Sequence, residues 1–185
     1  MVKTKMFLYD WILSQRIRYQ YIFLALLSVL ALLGLIMLYK NSPELNSKFF
    51  EFHHKNLRGY LFSGFISVGS FLLSLHTFVI VNLKEKVFGT KEYRETFSHA
   101  TGIDVDSIDE GELFKPLDNL SAFINTSIWL SITTAISQFT LGLSTNFYAC
   151  LFCVWLAILT IFFMLHSLII IRDNIKVFLK QKGGK

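Results

Sequence analysis

Four long stretches without a charged residue constrain this chain more than any other feature. They cover residues 21–39, 60–83, 121–143 and 147–171, and none contains Asp, Glu, Lys or Arg. A helix needs about 20 mainly apolar residues to cross a bilayer. Continuous apolar runs of this length are too long for the strands of a membrane barrel. The sequence therefore predicts an all-α fold, an integral membrane four-helix bundle that spans the bilayer four times.

The composition excludes the other broad classes. Hydrophobic residues make up 53% of the 185 residues and charged residues 17%, whereas typical soluble domains carry about 25% charged residues. The abundance of aromatic residues excludes a disordered chain, and two cysteines exclude a disulfide scaffold. A long charged leader and the lack of a cleavage site predict that the first stretch is a retained span and not a signal peptide.

The distribution of Lys and Arg predicts the orientation. Four precede the first span, five lie in the loop 84–120 and five in the tail 172–185, whereas the first loop holds four and the third loop none. We therefore expect a multi-pass protein of the inner (plasma) membrane with both termini in the cytoplasm. Residues 1–20 are predicted to form an amphipathic interfacial or cytoplasmic helix, and the tail is predicted to be a basic extension of the fourth helix.

The second span carries small hydroxyl side chains along one narrow stripe, which we call the serine stripe. Their spacing alternates between four and three residues, which places them on one side of a helix: Ser63, Ser67, Ser70, Ser74 and Thr77. Small polar residues at this spacing allow two membrane helices to approach closely. The stripe is therefore a candidate for a helix contact within one protomer, a contact between subunits, or a pore lining.

The third span is more polar and predicts a hydroxyl-rich face over about half of the helix circumference. We call this the polar face of the third span, and its candidate pore-lining residues are Thr126, Ser127, Ser131, Thr133, Thr134, Ser137 and Gln138. Packing against the serine stripe is one interpretation, and lining a water-filled path is the other. In the assembly, the second and third spans are expected to form an inner layer. The first span is expected outside it, and the fourth is a candidate for the same outer position.

Two histidines lie inside spans, where ionisable residues are functional candidates by default. His76 and His166 are each a few residues from the cytoplasmic end of a span, and so are expected at similar depth. They could share a proton, bind a metal or ligate haem. The alternative is that each forms a hydrogen bond with a neighbouring serine.

Cys150 and Cys153 form a C-x-x-C motif at the outer end of the fourth span. In this detail the chain resembles the vitamin K epoxide reductase family, four-span quinone-coupled thiol oxidases with the same motif at the outer end of a helix. The resemblance implies thiol–quinone electron transfer. That family relays electrons through a second cysteine pair, which this chain lacks, and buried cysteines also serve as small apolar fillers.

Basic residues gather at the cytoplasmic end of the second span. Lys84, Lys86, Lys91 and Arg94 could attract anionic lipid or bind a cytosolic nucleotide or oligonucleotide. Tyr93 and Phe97 lie among these charges and could stack on a base. Sequence-specific nucleic-acid binding is not expected.

No enzyme motif, cofactor site or metal-ligand set occurs in the sequence, and no carboxylate lies in a span. We therefore expect a passive function, that of a homo-oligomeric channel or pore subunit in the lipid bilayer. The four-span plan resembles the small membrane effectors of bacterial anti-phage systems, which implies gating by a cytosolic signal. The alternatives are a non-conducting accessory or immunity protein that binds another membrane protein, and a thiol–quinone or haem redox protein.

Overall fold

The structure, a computed structural model, describes the backbone of residues 17–40 and 48–182 and the side chains of residues 17–38, 48–99 and 101–172. Most of the predicted N-terminal helix and the side chains of the basic tail beyond Arg172 lie outside the described residues. Every regular element that is described is helical: α1 (Ile17–Lys40), α2 (Phe49–Phe52), α3 (Arg58–Leu83), α4 (Lys91–Thr101), α5 (Glu110–Phe139) and α6 (Phe147–Lys182).

Four helical segments are long and apolar enough to cross a membrane: Ile17–Leu38, Phe49–Phe88, Glu110–Leu143 and Phe147–Arg172. This confirms the predicted all-α fold with four candidate spans. The second and third segments begin well before the predicted apolar windows, because a helix continues for as long as its backbone hydrogen bonds are made and does not stop where the hydropathy changes.

The centre of the bundle is α5, which packs against α3 on one side and α6 on the other, while α1 packs against α6. The most apolar stretches of the third and fourth segments are 50% and 44% buried, against 11% and 22% for the first and second. Within one protomer the third and fourth segments are therefore the most buried pair, because small residues of α6 allow close contact with α5: Cys153, Ala157, Thr160 and Ser167 are buried. The inner layer of second and third spans expected for the assembly stays a prediction.

Two hydrophobic clusters join these helices. Between α3 and α5, the cluster includes Leu72, Val79, Leu120 and Ile124. A second cluster joins α1, α5 and α6 through aromatic rings: Tyr21 lies edge-on to Phe123 (4.7 Å) and Phe163 (5.2 Å). Side-chain packing thus holds the first span against α6. Its almost entirely apolar sequence, which would suit lipid on all sides, gave no sign of this contact.

The helix that continues from the second span into the loop 84–120 breaks near Gly89. A π-helical turn, Lys84–Phe88, follows α3. A Cβ atom at Gly89 would lie 2.9 Å from the carbonyl oxygen of Lys84, so this close backbone approach requires glycine. Thr90 then caps α4, since its Oγ1 accepts a hydrogen bond from the backbone N–H of Tyr93 at 3.3 Å.

Candidate functional site

The polar face of the third span is buried inside the protomer, where it forms hydrogen bonds with α6. The Ser127 and Ser167 hydroxyl oxygens are 2.9 Å apart, and those of Thr134 and Thr160 are 2.7 Å apart. The side-chain amide of Gln138 donates to the carbonyl oxygen of Cys153 at 2.9 Å. Side-chain hydrogen bonds of this kind hold membrane helices together. In the protomer this face therefore joins two helices and leaves no path for water between them.

The rest of the polar face divides into packed and outward residues. Ser131 is fully buried and its hydroxyl donates to the Met164 sulfur at 3.8 Å. Ser137 donates to the carbonyl oxygen of Thr134, and Thr126 bonds the Tyr21 hydroxyl of α1 at 2.9 Å. Thr133 is exposed. Five of the seven candidate pore-lining side chains thus bond another helix of the protomer, and Ser137 is buried but bonds its own helix.

A double-mutant cycle across Thr134 and Thr160 is expected to show coupling. Each Thr→Val change keeps the side-chain volume but removes a hydroxyl that bonds the facing helix. Coupling of about 0.6–1.7 kcal/mol is expected, because interhelical hydrogen bonds in membranes fall in this range. Unfolding free energies in denaturing detergent would measure it. The matched cycle pairs Thr160→Val with Thr133→Val, an exposed threonine, and should show additivity; equal coupling in both cycles would contradict the assignment.

The serine stripe lies on the opposite side of α3 from its buried row. All five members are exposed on the protomer surface, whereas Phe65, Gly69 and Leu72 of the same helix are buried. Each hydroxyl donates to a backbone carbonyl one turn earlier, as Ser67 does to Ser63 at 2.8 Å and Ser70 to Ile66 at 3.0 Å. The predicted contact between the stripe and the polar face of the third span does not form, because the opposite side of α3 makes the contact with α5.

The two intramembrane histidines have separate hydrogen-bond partners. His76 Nε2 lies 2.9 Å from the Ser121 hydroxyl, and His166 Nε2 lies 2.9 Å from Gln20 Oε1. The His166 ring also lies edge-on to Phe123 at 4.7 Å. His76 thus bonds a serine, as one of the two interpretations of the sequence expected, whereas the partner of His166 is a glutamine.

The two cysteines are fully buried free thiols. Cys153 donates to the carbonyl oxygen of Ser137 at 3.4 Å, and Cys150 donates to that of Ser144 at 3.5 Å. Both small side chains lie where α6 approaches the end of α5. This environment is that of a structural cysteine, since reactive thiols sit in accessible, electropositive surroundings. Among the described residues, no group of three or more His, Cys, Asp or Glu side chains could hold a metal ion.

The basic residues at the other end of the bundle have different surroundings. The Lys84 ammonium lies 5.6 Å from the centre of the Phe114 ring, and Arg94 forms an ion pair with Glu110 at 3.2 Å. Tyr93 packs edge-on against Phe88 at 4.8 Å, and burial raises the pKa of its hydroxyl. Its ring is partly buried and packs against the hydrophobic cluster between α3 and α5, which leaves it less available for stacking on a base. Lys86 and Lys91 are exposed.

A polar cluster that the sequence did not predict lies at the other end of α3, where His53, His54 and Arg58 meet Gln138 and Gly142 of the third span. His53 is fully buried. The sequence signal was the pair of histidines followed by an arginine at the start of an apolar run, but nothing in it indicated that Gln138 lies beside them.

The comparisons with known proteins supply no relative from which a role could be transferred. The chain matches no protein-family model, no curated protein and no solved structure.

Proposed function

We propose that this chain is a subunit of a homo-oligomeric membrane channel whose pore is lined by the serine stripe of α3. The observation that carries the proposal is the exposure of all five hydroxyl-bearing side chains on one side of a candidate span. A span that faces only lipid needs no such row. Several copies arranged around an axis would turn these rows toward each other and toward water.

The chemistry of the stripe suits a passive water-filled path. Each hydroxyl hydrogen is used in a bond to the helix backbone, so the oxygen lone pairs remain to accept hydrogen bonds from water or to approach a cation. From Ser63 to Thr77 the stripe extends about 21 Å along the helix axis. This covers most of a hydrocarbon core about 30 Å thick.

The proposal moves the pore lining from the third span to the second. The polar face of the third span is occupied by hydrogen bonds with α6, so its residues build the protomer, and α3 faces the pore. In this arrangement α5 and α6 form the support behind α3, and α1 faces lipid. The excess of Lys and Arg in the segments assigned to the cytoplasm supports a multi-pass protein of the inner membrane with both termini in the cytoplasm.

Cysteine accessibility in a conducting preparation tests the pore lining. The two native cysteines are fully buried, so the wild-type protein provides a low background for a charged, membrane-impermeant thiol reagent. We expect ion flux through liposomes containing Ser70→Cys to fall by more than half when the reagent is added. A reagent in water reaches only a water-exposed thiol, and its charged adduct obstructs a narrow path.

The control variant is Thr133→Cys, which is exposed on α5 and lies outside the serine stripe. Its flux should be unchanged by the reagent, as should that of the wild-type protein. Flux equal to that of empty liposomes for the wild-type protein, or equal inhibition of Ser70→Cys and Thr133→Cys, would contradict the proposal.

The second candidate is a non-conducting accessory or immunity protein, and the same stripe supports it. Small side chains whose hydroxyls are satisfied by their own helix allow the backbone of another helix to approach closely. Oxidative crosslinking of Ser70→Cys in membranes separates the two functions. A homodimer supports the channel, whereas crosslinking to a different membrane protein supports the accessory role.

The proposal includes gating by a cytosolic anion that binds Lys84, Lys86 and Lys91, the exposed members of the basic set. Arg94 is less suited to this role because Glu110 neutralises it. Burial of both thiols and separate partners for both histidines favour packing over the redox alternative, and we propose no catalytic role.

A further inference from the structure

The polar cluster at the outer end of α3, which we call the outer cluster, contains His53, His54, Arg58 and Gln138. Five of its side-chain nitrogen and oxygen atoms are buried and have no hydrogen-bond partner: both ring nitrogens of His53, Nδ1 of His54, Nη1 of Arg58 and Oε1 of Gln138. Leaving such groups unpaired costs free energy, and they normally indicate a water or an ion that completes the site.

The fold brings these side chains together with specific support. A π-helical turn, His53–Leu57, precedes α3, and turns of this kind are frequent at functional sites. The His53 ring stacks on Phe49 (6.1 Å between ring centres) and the His54 ring lies against Phe50 (5.5 Å). A Cβ atom at Gly142 would lie 3.5 Å from Cε1 of His53 and 3.6 Å from Cδ of Arg58. Gly142 thus lies directly against the side chains of this cluster.

The outer cluster contains hydrogen-bond donors and a positive charge, but in the described part of the chain none of its residues forms an ion pair with a carboxylate. Within residues 17–38, 48–99 and 101–172, the ion pairs are Lys55 with Glu51 and Arg94 with Glu110, so Glu51 is engaged elsewhere. The Nη1 atom of the half-buried Arg58 is removed from solvent, and a desolvated guanidinium nitrogen is stabilised by an anionic partner. An anion is therefore the ligand class that suits this cluster.

We propose that the outer cluster binds a phosphate group, either that of a lipid headgroup or free phosphate. The fork of N–H groups in Arg58 matches the geometry of phosphate oxygens, and the imidazole rings add donors beside it. The cluster lies where α3 begins and α5 ends, which is the level of the lipid headgroups if these helices span the membrane. This inference does not depend on conduction by the serine stripe.

The experiment measures the melting temperature of the purified full-length protein in detergent. One arm titrates inorganic phosphate against sodium chloride at equal ionic strength, and the other adds phosphatidylglycerol to the micelles. We expect a saturable rise in melting temperature in at least one arm, since a ligand that binds only the folded state stabilises it. A response to inorganic phosphate identifies free phosphate as a ligand, and a response to the lipid alone identifies a headgroup.

Arg58→Gln should weaken the apparent affinity at least tenfold, and Lys55→Gln is the matched control. Lys55 is a cation in the same turn, but its side chain is exposed and paired with Glu51, so the response should persist. If Arg58→Gln does not fold, the half-buried His54→Gln provides the same comparison.

Two results would overturn the proposal. The first is no specific response of the wild-type protein in either arm, which would assign the outer cluster to ordered water. The second is an equal response in Arg58→Gln, His54→Gln and the wild-type protein, which would place binding elsewhere.

Discussion

Gly69→Leu is expected to destabilise the protein strongly, whereas Gly64→Leu leaves its stability nearly unchanged. Both glycines lie in α3, five residues apart, and both changes replace glycine with a good helix former. They differ in their surroundings. A Cβ atom at Gly69 would already lie 3.4 Å from Cβ of Ser131 and 3.6 Å from Cγ1 of Ile132, whereas nothing lies within 4 Å of one at Gly64.

The size of the effect follows from close packing at the contact between α3 and α5. A leucine side chain at position 69 has no space, so the two helices must separate or their side chains must leave favourable rotamers. Overpacking of this kind costs about 1–3 kcal/mol and occasionally more. For a protein of this size, a loss of about 3 kcal/mol lowers the melting temperature by roughly 6–12 °C.

Fluorescence-detected size exclusion after heating would measure both variants in the same detergent. The Gly64→Leu variant should melt within about 2 °C of the wild-type protein, because a single exposed substitution changes stability little. Equal losses in the two variants would contradict the close approach of α3 to α5. A stable Gly69→Leu variant would likewise place the packed side of α3 elsewhere.

Phe123→Ala is expected to cause the second large loss of stability. The Phe123 side chain is 1% exposed and lies where α1, α5 and α6 meet. Its ring contacts Tyr21 and His166 edge-on, at 4.7 Å each. Truncation leaves a cavity among three helices and removes both ring contacts, each of which is worth about 0.5–1.5 kcal/mol beyond burial.

We expect this change to lower the free energy of unfolding by about 3 kcal/mol, the low end of the range for Phe→Ala in protein cores. The low end applies because lipid solvates an apolar ring nearly as well as the interior does, so lost packing makes the larger contribution. Trp129→Ala removes a larger ring from the same helix at a position that is 64% exposed. It should cost less than about 1 kcal/mol, and a greater loss for Trp129→Ala than for Phe123→Ala would refute this picture.

The four candidate spans could be predicted from the sequence because crossing a bilayer depends on local properties. Length, apolar character and freedom from charge are all visible in one window of residues, as in 21–39. The ends of the helices were less predictable. The break at Gly89 depends on its close approach to the carbonyl oxygen of Lys84, and α5 begins well before the third apolar window because Asp109 caps its polar first turns.

The sequence identified the polar rows of the candidate site but not which of them contact each other. The serine stripe and the polar face of the third span have the same helical periodicity and similar small hydroxyl residues, so either could have been buried. The sequence alone favoured contact between them. The structure instead joins Ser127, Thr134 and Gln138 to α6 and leaves the stripe exposed. The polar face packs against α6 because that helix carries hydroxyl side chains, Ser167 and Thr160, that form hydrogen bonds with it.

By itself the sequence determined that this chain is helical and has four segments suited to a bilayer, because that follows from the solvation of each segment separately. Only the tertiary structure decided which polar rows are buried and which remain outside. It also decided that Arg58 and His53 of the second helical segment lie beside Gln138 of the third. Contacts of this kind, between residues far apart in the sequence, depend on how closely two helix backbones approach. That distance is set by Gly69 and Gly142 together with the residues opposite them.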